Sequence, residues 1–196
     1  IGCNICIASW HDGVPVRCTQ NATAGEEWRR GWHPERFTKA SQPDNVLVVG
    51  GGPAGLEAAL IAAKQGFEVT IAEQTDDWGG RVLQESQLPG MATWRRVRDY
   101  RVWALSQMGN VSMYTNSELD AEAALSFGAD HIAVATGARW TKRLYSALEI
   151  PAEPLDLPQI LTPEDVFAGT ISGDRVLVFD YDNYYLGGVI AEHLAE

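Results

Sequence analysis

The chain has 196 residues, a length that suits one well-formed core or one domain with attached segments. Its formal net charge of −11 at pH 7 disfavours a nucleic-acid partner, because an acidic protein and phosphate groups repel each other. No apolar run approaches the roughly 18 residues that a membrane-spanning helix needs, so no membrane association is expected.

The first 42 residues, which we call the cysteine arm, lack the periodicity of a regular helix or strand. They contain all three cysteines of the chain, spaced Cys3-x2-Cys6-x11-Cys18. Three cysteines cannot pair evenly as disulfides, and their clustering indicates a metal or cluster site in a reducing compartment. We therefore predict Cys3, Cys6 and Cys18 as metal ligands in a cytoplasmic protein, with free structural thiols as the alternative.

Two kinds of metal site suit this arm. Iron–sulfur clusters bind cysteine thiolates, usually four of them. Zinc also takes four ligands, and His11 or His33 could supply one beside the cysteines. The residues alone leave both kinds of site open.

The next element is an apolar run, Val46–Val49, that leads into a Gly50-x-Gly52-x-x-Gly55 turn and then a helical pattern. Gly50 allows the tight turn, Gly52 lets the backbone approach a pyrophosphate, and Gly55 lets the helix lie close to the strand. Pro53 is near the first helical position, where a missing N–H is harmless. The pattern predicts the first half of a dinucleotide-binding unit, with an ordinary glycine-rich turn as the alternative.

Further candidates for nucleotide contact follow the next predicted strand, Phe67–Ala72. Glu73 lies 18 residues after the last motif glycine, close to where an acid can meet a ribose hydroxyl. The Gly79-Gly80 pair can bring the backbone close to the nucleotide, and Arg81 can reach a phosphate or ribose. A solvated loop is the alternative for this stretch.

Another strand, His131–Ala135, is predicted to be buried, and Thr136-Gly137 follows it. Strand ends near the switch point of a doubly wound sheet are where ligands bind. The residues predicted to bind the nucleotide are Gly50, Gly52, Pro53, Ala54, Gly55, Glu73, Gln74, Gly80, Arg81, Thr136 and Gly137.

The remaining elements complete an α/β, Rossmann-like domain over residues 43–140. A helix is expected over Met91–Met108, with arginines at positions 95, 96, 98 and 101. This basic stretch is either a solvated face or a docking face for a partner. A strand at Val111–Tyr114 and a helix at Ala121–Phe127 follow.

Residues 141–173 form a predicted connector that contains four prolines. Within it, Thr162-Pro163 followed by two acids is typical of a helix start. We assign this connector no chemistry.

A second strand–turn–helix unit is predicted over residues 174–196, with its strand at Val176–Phe179. When this unit is aligned with the first, the glycine positions fall on Asp180, Asp182 and Tyr185. Carboxylates repel a pyrophosphate, and a tyrosine ring would fill its space. We therefore predict a degenerate domain that does not bind a nicotinamide dinucleotide in the usual way.

Five segments of the chain resemble trimethylamine dehydrogenase and its relatives, which include the dimethylamine and histamine dehydrogenases and, more distantly, the dienoyl-CoA reductases. The resembling segments are Ile1–Cys6, Cys18–Phe37, Gly50–Gly55, Ala135–Trp140 and Leu161–Glu164. The resemblance implies an upstream barrel with FMN that oxidises a small amine, then a 4Fe-4S cluster, then domains of the glutathione-reductase type. With no initiator methionine at Ile1, we expect a piece of a longer polypeptide with another cluster cysteine just before that residue.

The resemblance also implies the partners and the electron route. Electrons would leave FMN through the cluster toward an external acceptor such as an electron-transferring flavoprotein. The Rossmann-like domain would hold ADP, with a complete FAD of the glutathione-reductase type as the alternative, and the protein would be a homodimer. No catalytic residue is assigned to this chain. Two other functions stay open: an NAD(P)H-dependent reductase of the dienoyl-CoA reductase type, and a non-enzymatic nucleotide-binding module stabilised by zinc.

Overall fold

A computed structural model of the chain describes residues 2–33, 36–142, 157–171, 173–180 and 184–196. The chain divides into two compact units. The first unit contains Ile1–Ser86 and Thr93–Gly137, and the second contains Gln87–Ala92 and Ala138–Glu196. Among the described residues, no helix is long and apolar enough to cross a membrane.

The first unit is built on a parallel sheet, as expected for a Rossmann-like domain. Among the described residues its strands are β1 (Asn45–Val49), β2 (Glu68–Ala72), β3 (Val111–Tyr114) and β4 (His131–Val134). The spatial order is β3-β2-β1-β4, and every neighbouring pair is parallel. Since parallel strands share a direction, their carboxyl ends meet at one edge of the sheet, where ligands bind in this class of fold.

The described helices of this unit lie in the cysteine arm and between the strands. They are α1 (Ile5–His11), α2 (Glu27–Arg30), α3 (Pro53–Gln65), α4 (Arg81–Glu85), α5 (Arg96–Ser106) and α6 (Ala121–Ser126). Helix α5 is preceded by a 3-10 turn at Ala92–Arg95. Helix α3 ends at Gly66, whose φ of +100° is a common glycine stop.

The central strand β1 is apolar because both of its faces are covered. Val46 and Val48 join a core with Leu56 and Leu60 of α3. On the opposite face, Leu47 and Val49 pack with Ala124 of α6 in a separate cluster. A strand buried on both faces has a continuous apolar run rather than an alternating one.

The predicted elements of this domain are confirmed, with two corrections. The helix expected over Met91–Met108 is an α-helix only at Arg96–Ser106, after the 3-10 turn. The second correction is at β4. That strand was expected to be buried, but Val134 is 75% exposed. Strand β4 pairs with β1 on one side and lies at the edge of the sheet that the described residues form. Edge position therefore leaves part of its apolar surface uncovered.

The second unit, taken by itself, contains α7 (Pro163–Phe167) and α8 (Tyr185–Ala195). Thr162 is the N-cap of helix α7, as its sequence predicts. The prediction of a strand at Val176–Phe179 is wrong. The described residues form no strand there, and Leu177 is 91% exposed. A strand requires a partner for its backbone N–H and C=O groups, and no described segment pairs with this one.

Candidate nucleotide site at the glycine turn

The segment that joins β1 to α3, Gly50–Gly55, forms a turn that only glycine fits at two positions; we call it the glycine turn. Gly50 has a φ of +106°, and its N–H donates to the Ala72 carbonyl at 2.8 Å. A Cβ on Gly50 would lie 2.4 Å from the Ala135 carbonyl oxygen. A Cβ on Gly55 would lie 1.9 Å from the Gly50 carbonyl oxygen, so helix α3 rests directly on the turn.

Gly52 differs from these two glycines. Its φ is −72°, a value that any residue adopts, and no atom lies within 4 Å of the position its Cβ would take. The backbone there is open on the side where a side chain would stand. A glycine that neither conformation nor packing requires is explained by the close approach of a ligand to the backbone.

Helix α3 provides the charge complement for an anion at this open side. Pro53 is its first residue, as predicted, and the N–H groups of Ala54 and Gly55 have no carbonyl partner within the helix. These N–H groups and the helix dipole favour a phosphate. The open backbone and the free helix end together fit the diphosphate of a nucleotide.

Glu73 lies at the carboxyl end of β2 and is only 6% exposed. Its Oε2 accepts the Gly51 N–H at 2.7 Å, and its Oε1 accepts the backbone N–H and the hydroxyl of Thr75 at 2.8 and 2.9 Å. This carboxylate therefore fastens the glycine turn to the next loop. A carboxylate can accept about four hydrogen bonds, so capacity remains for a ribose hydroxyl.

The loop after Glu73 folds back over the glycine turn. The Gly79 N–H donates to the Gly51 carbonyl at 2.8 Å, and the ring of Trp78 lies where a Cβ on Gly51 would stand. A Cβ on Gly80 would lie 3.5 Å from the Cα of Gly52. The predicted residue Gly80 is thus brought beside the open part of the turn.

The other predicted nucleotide residues occupy the same edge of the sheet. Gln74 is exposed just after Glu73, and Arg81 is the first residue of α4. Thr136 and Gly137 follow Ala135, whose N–H donates to the Val49 carbonyl at 2.8 Å. Both are exposed beside the turn, which agrees with their predicted position.

Sequence reasoning missed the role of Arg98 in holding this loop. Its Nε donates to the Trp78 carbonyl at 2.9 Å, and its guanidinium also bonds the carboxylate of Asp77. The loop over the glycine turn is therefore tied to α5. The acids at positions 76 and 77 beside a basic helix were the only signal in the sequence for this contact.

The cysteines of the arm are not disulfide-bonded. Cys3 Sγ lies 3.2 Å from the hydroxyl of Thr19, so the segment after Cys18 runs beside the start of α1. Cys6 is exposed on the first turn of α1. Among the described residues, no three His, Cys, Asp or Glu side chains converge as a metal site. Cysteine thiolates suit an iron–sulfur cluster or zinc, but the three described cysteine side chains do not converge on one point.

A hollow at the surface of the described residues lies elsewhere. It has a volume of about 400 Å³ and is lined at the amino ends of the strands by Asn45, Glu68 and Asn110. The nucleotide site proposed here is an open cradle at the carboxyl ends of the strands. The backbone geometry of the glycine turn supports this site, which is not an enclosed cavity.

Comparison with known proteins supports a nucleotide-binding fold. Residues 17–156 match the family model described as pyridine nucleotide-disulphide oxidoreductase. Over its whole length the chain is 40% identical to dimethylamine dehydrogenase of Hyphomicrobium sp. (strain x). It spans 28% of the length of that relative.

Two solved structures are also similar to this chain. Histamine dehydrogenase from Rhizobium sp. 4-9 is 46% identical, with a TM-score of 0.89 over 99% of this chain and 30% of its own. The 6-hydroxypseudooxynicotine amine oxidase from Pseudomonas geniculata N1 is 45% identical, with a TM-score of 0.87 over 99% of this chain and 29% of its own.

Proposed function

Because this chain belongs to the pyridine nucleotide-disulphide oxidoreductase family and is homologous over its full length to dimethylamine and histamine dehydrogenases, we propose that it is the electron-transfer and nucleotide-binding part of an amine dehydrogenase. The observation that carries this proposal is the 40% identity to dimethylamine dehydrogenase over the whole chain. The dimethylamine and histamine dehydrogenase family predicted from the cysteine arm and the glycine turn is thereby confirmed. The chain spans less than a third of the length of these relatives. Amine dehydrogenase activity is therefore proposed for the longer protein that contains this chain.

The glycine turn would hold an ADP moiety, either as ADP itself or as the adenosine end of FAD. Its diphosphate would lie over Gly52 against the first N–H groups of α3. Glu73 would accept a ribose hydroxyl with its remaining capacity, and Gly80 would line the opposite side. The support for this placement is the open backbone at Gly52 beside a loop fastened by three hydrogen bonds to Glu73.

The cysteine arm would hold a 4Fe-4S cluster through Cys3, Cys6 and Cys18. Such a cluster supplies one-electron transfer when it is bound. The support is the residue type, the spacing, and the contact that brings the Cys18–Thr19 segment to Cys3. The external acceptor would be an electron-transferring flavoprotein or a similar carrier.

Amine oxidation itself would take place outside these residues. We assign no catalytic residue to this chain, and the small amine would meet FMN in an upstream barrel of a homodimeric, cytoplasmic protein. The protein part of that chemistry would be to position amine and flavin, because the cofactor carries the redox step. On this proposal the present 196 residues alone have no amine-oxidising activity.

The test uses the full-length protein that contains this chain. Dimethylamine or histamine should bleach its flavin and reduce an artificial one-electron acceptor. Cys18→Ala should retain flavin bleaching but lose at least about 90% of acceptor reduction and much of the iron and sulfide, because thiolates are the cluster ligands. Ser41→Ala, which changes an exposed residue ahead of β1, serves as the control. Unchanged iron and acceptor reduction in Cys18→Ala would contradict the proposed route.

Two further outcomes would favour the other functions. Tight binding of NADPH to the intact protein would indicate a reductase of the dienoyl-CoA type. Zinc without iron, sulfide or visible absorption would indicate a zinc-stabilised module. Acid release of the bound nucleotide, followed by mass measurement, separates ADP from FAD.

A further inference from the structure

Arg101 is a charged side chain at a position where a charge is costly. It lies on α5 and is only 3% exposed. A buried guanidinium costs several kcal/mol unless its donors are satisfied and its charge is paired. Its partners therefore indicate what the structure gains from keeping an arginine here.

Three donors of Arg101 reach three different segments. Nε donates to Glu57 Oε2 at 2.6 Å, and Nη1 donates to the Val97 carbonyl at 2.7 Å on its own helix. Nη2 donates to the Thr19 carbonyl at 3.2 Å. Glu57 belongs to α3, which begins at the glycine turn, and Thr19 directly follows Cys18. One side chain thus joins the nucleotide-binding helix to the cysteine arm.

The cysteine arm needs such a contact because it has little core of its own. Neither α1 nor α2 contains a buried residue. Trp10 and Trp28 are exposed at 69% and 85%. With little apolar burial, specific polar contacts decide where this arm is held. The Thr19 hydroxyl in turn contacts Cys3, whose Sγ lies 3.2 Å away, so holding Thr19 also holds Cys3.

We propose that Arg101, paired with Glu57, is the positioning residue that holds the Cys18–Thr19 segment on the nucleotide-binding helix and so couples the nucleotide site to the cysteine arm. The fork of a guanidinium suits this task, because its planar donors satisfy several acceptors at fixed angles. Nucleotide binding at the glycine turn would tighten the arm, and an ordered arm would strengthen nucleotide binding by the same factor, because coupling between two sites is reciprocal. The functional value of that coupling rests on the proposed cluster, whereas the contact itself does not.

The experiment compares Arg101→Gln, Arg101→Lys and the control Arg96→Gln in the full-length protein. Arg96 is an exposed arginine on the same helix. Hydrogen exchange is followed at Ala24 and Glu26, whose N–H groups bond Asn21 and Thr23 within the arm. Iron release to a chelator and bound nucleotide are measured on the same samples.

Arg101→Gln should speed exchange at Ala24 and Glu26 by about tenfold and speed iron release similarly, which is within the usual range of coupling between sites. Nucleotide should stay bound, with an affinity that falls by no more than about the same factor, because the coupling is reciprocal. Arg101→Lys should fall between Arg101→Gln and wild type, because an ammonium keeps the charge but cannot span all three acceptors. Glu57→Gln should have a similar effect, and the double variant should be no worse than either single variant, since the two residues act as one unit.

Two results would overturn this proposal. One is an Arg101→Gln protein that matches Arg96→Gln in both exchange and iron release. The other is loss of nucleotide and of thermal stability together with the arm, without recovery in Arg101→Lys, which would indicate general destabilisation. If the wild-type protein holds no iron, the proposed cluster fails, and the exchange data still decide whether Arg101 holds the arm.

Discussion

The three glycines of the glycine turn's motif are glycines for three different physical reasons. Gly50 needs its positive φ and the space beside the Ala135 carbonyl. Gly55 needs the absence of a Cβ, since one would lie 1.9 Å from the Gly50 carbonyl oxygen. Gly52 needs neither within the described structure, so we propose that a ligand is the reason for this glycine. Folding and binding can therefore be separated by single substitutions.

Gly55→Ala should lower the free energy of unfolding by about 3 kcal/mol, because overpacking against backbone cannot relax as a side chain can. Gly52→Ala should change it by less than about 1 kcal/mol while weakening ADP binding by at least about tenfold, since a methyl group would occupy the phosphate position. Urea unfolding and ADP titration measure the two effects.

Gly188→Ala is the control for these substitutions, because Gly188 lies in α8 with no atom within 4 Å of its Cβ position. A Gly52→Ala protein that unfolds as readily as Gly55→Ala would show that Gly52 is structural. Unchanged ADP affinity in folded Gly52→Ala would remove the glycine turn as the diphosphate site.

At the scale of elements, α5 supplies two arginines that hold two other segments of the chain. The sequence left its arginines as a solvated face or a docking face, and the structure corrects this for two of them. Arg98 holds the loop over the glycine turn, and Arg101 is buried against Glu57. Arg96 at the start of α5 and Arg95 in the 3-10 turn before it are exposed, so the docking role, which stays a prediction, would rest on those two.

The stability of the start of helix α7 is expected to depend on pH. Asp165 accepts the Thr162 N–H at 2.7 Å and the Thr162 hydroxyl at 3.1 Å. The backbone hydrogen bond is the main reason that the pKa of Asp165 lies below its ordinary value of 3.8. Because the pKa is lower when folded, the contact stabilises the helix start above pH 3.8, and this contribution is lost as the pH falls through the folded pKa.

We therefore expect the start of α7 to loosen only as the pH falls through the lowered pKa of Asp165, which lies below the ordinary value of 3.8. Asp165→Asn should weaken the start at neutral pH and remove the acid transition. Chemical shifts of the Thr162 and Ala168 amides across a pH series measure this. The control is Asp174→Asn, an exposed carboxylate outside the helix. An acid transition that persists in Asp165→Asn would assign it to another group.

For the whole molecule, the described residues give only the first of two nucleotide-like segments the features of a site. The first has an open glycine turn. In the second, Asp180 crowds Gly187, where a Cβ would lie 2.5 Å from the carboxylate oxygen. Asp182, the other predicted obstacle to a pyrophosphate, lies outside the described residues. The absence of usual nicotinamide binding therefore stays a prediction.

Addition of ADP to nucleotide-free full-length protein should raise its thermal midpoint, because a ligand at 100 times its Kd stabilises the folded state by about 2.7 kcal/mol. NADPH at the same concentration should cause little shift. Differential scanning fluorimetry with ADP, NADPH and buffer alone measures this. A shift with NADPH that equals the shift with ADP would contradict a single adenine-nucleotide site.

Local sequence determined much of this protein. The unbroken apolar run at Val46–Val49 and the glycine spacing after it predicted the strand, the turn and its helix. Thr162-Pro163 predicted the start of α7. Each of these features depends on neighbours within a few residues, where backbone sterics and capping decide the outcome. The parallel α/β fold could be predicted for the same reason.

Only the tertiary structure decided which charges turn inward and which apolar residues remain uncovered. Glu73 was predicted to meet a ribose, but it also fastens Gly51 and Thr75. Arg101 bonds Thr19, which is 82 positions away along the chain. The arginines of α5 look alike in sequence, and only the packed neighbours distinguish them. Burial of a charge depends on partners brought together by the fold, and no local pattern encodes those partners.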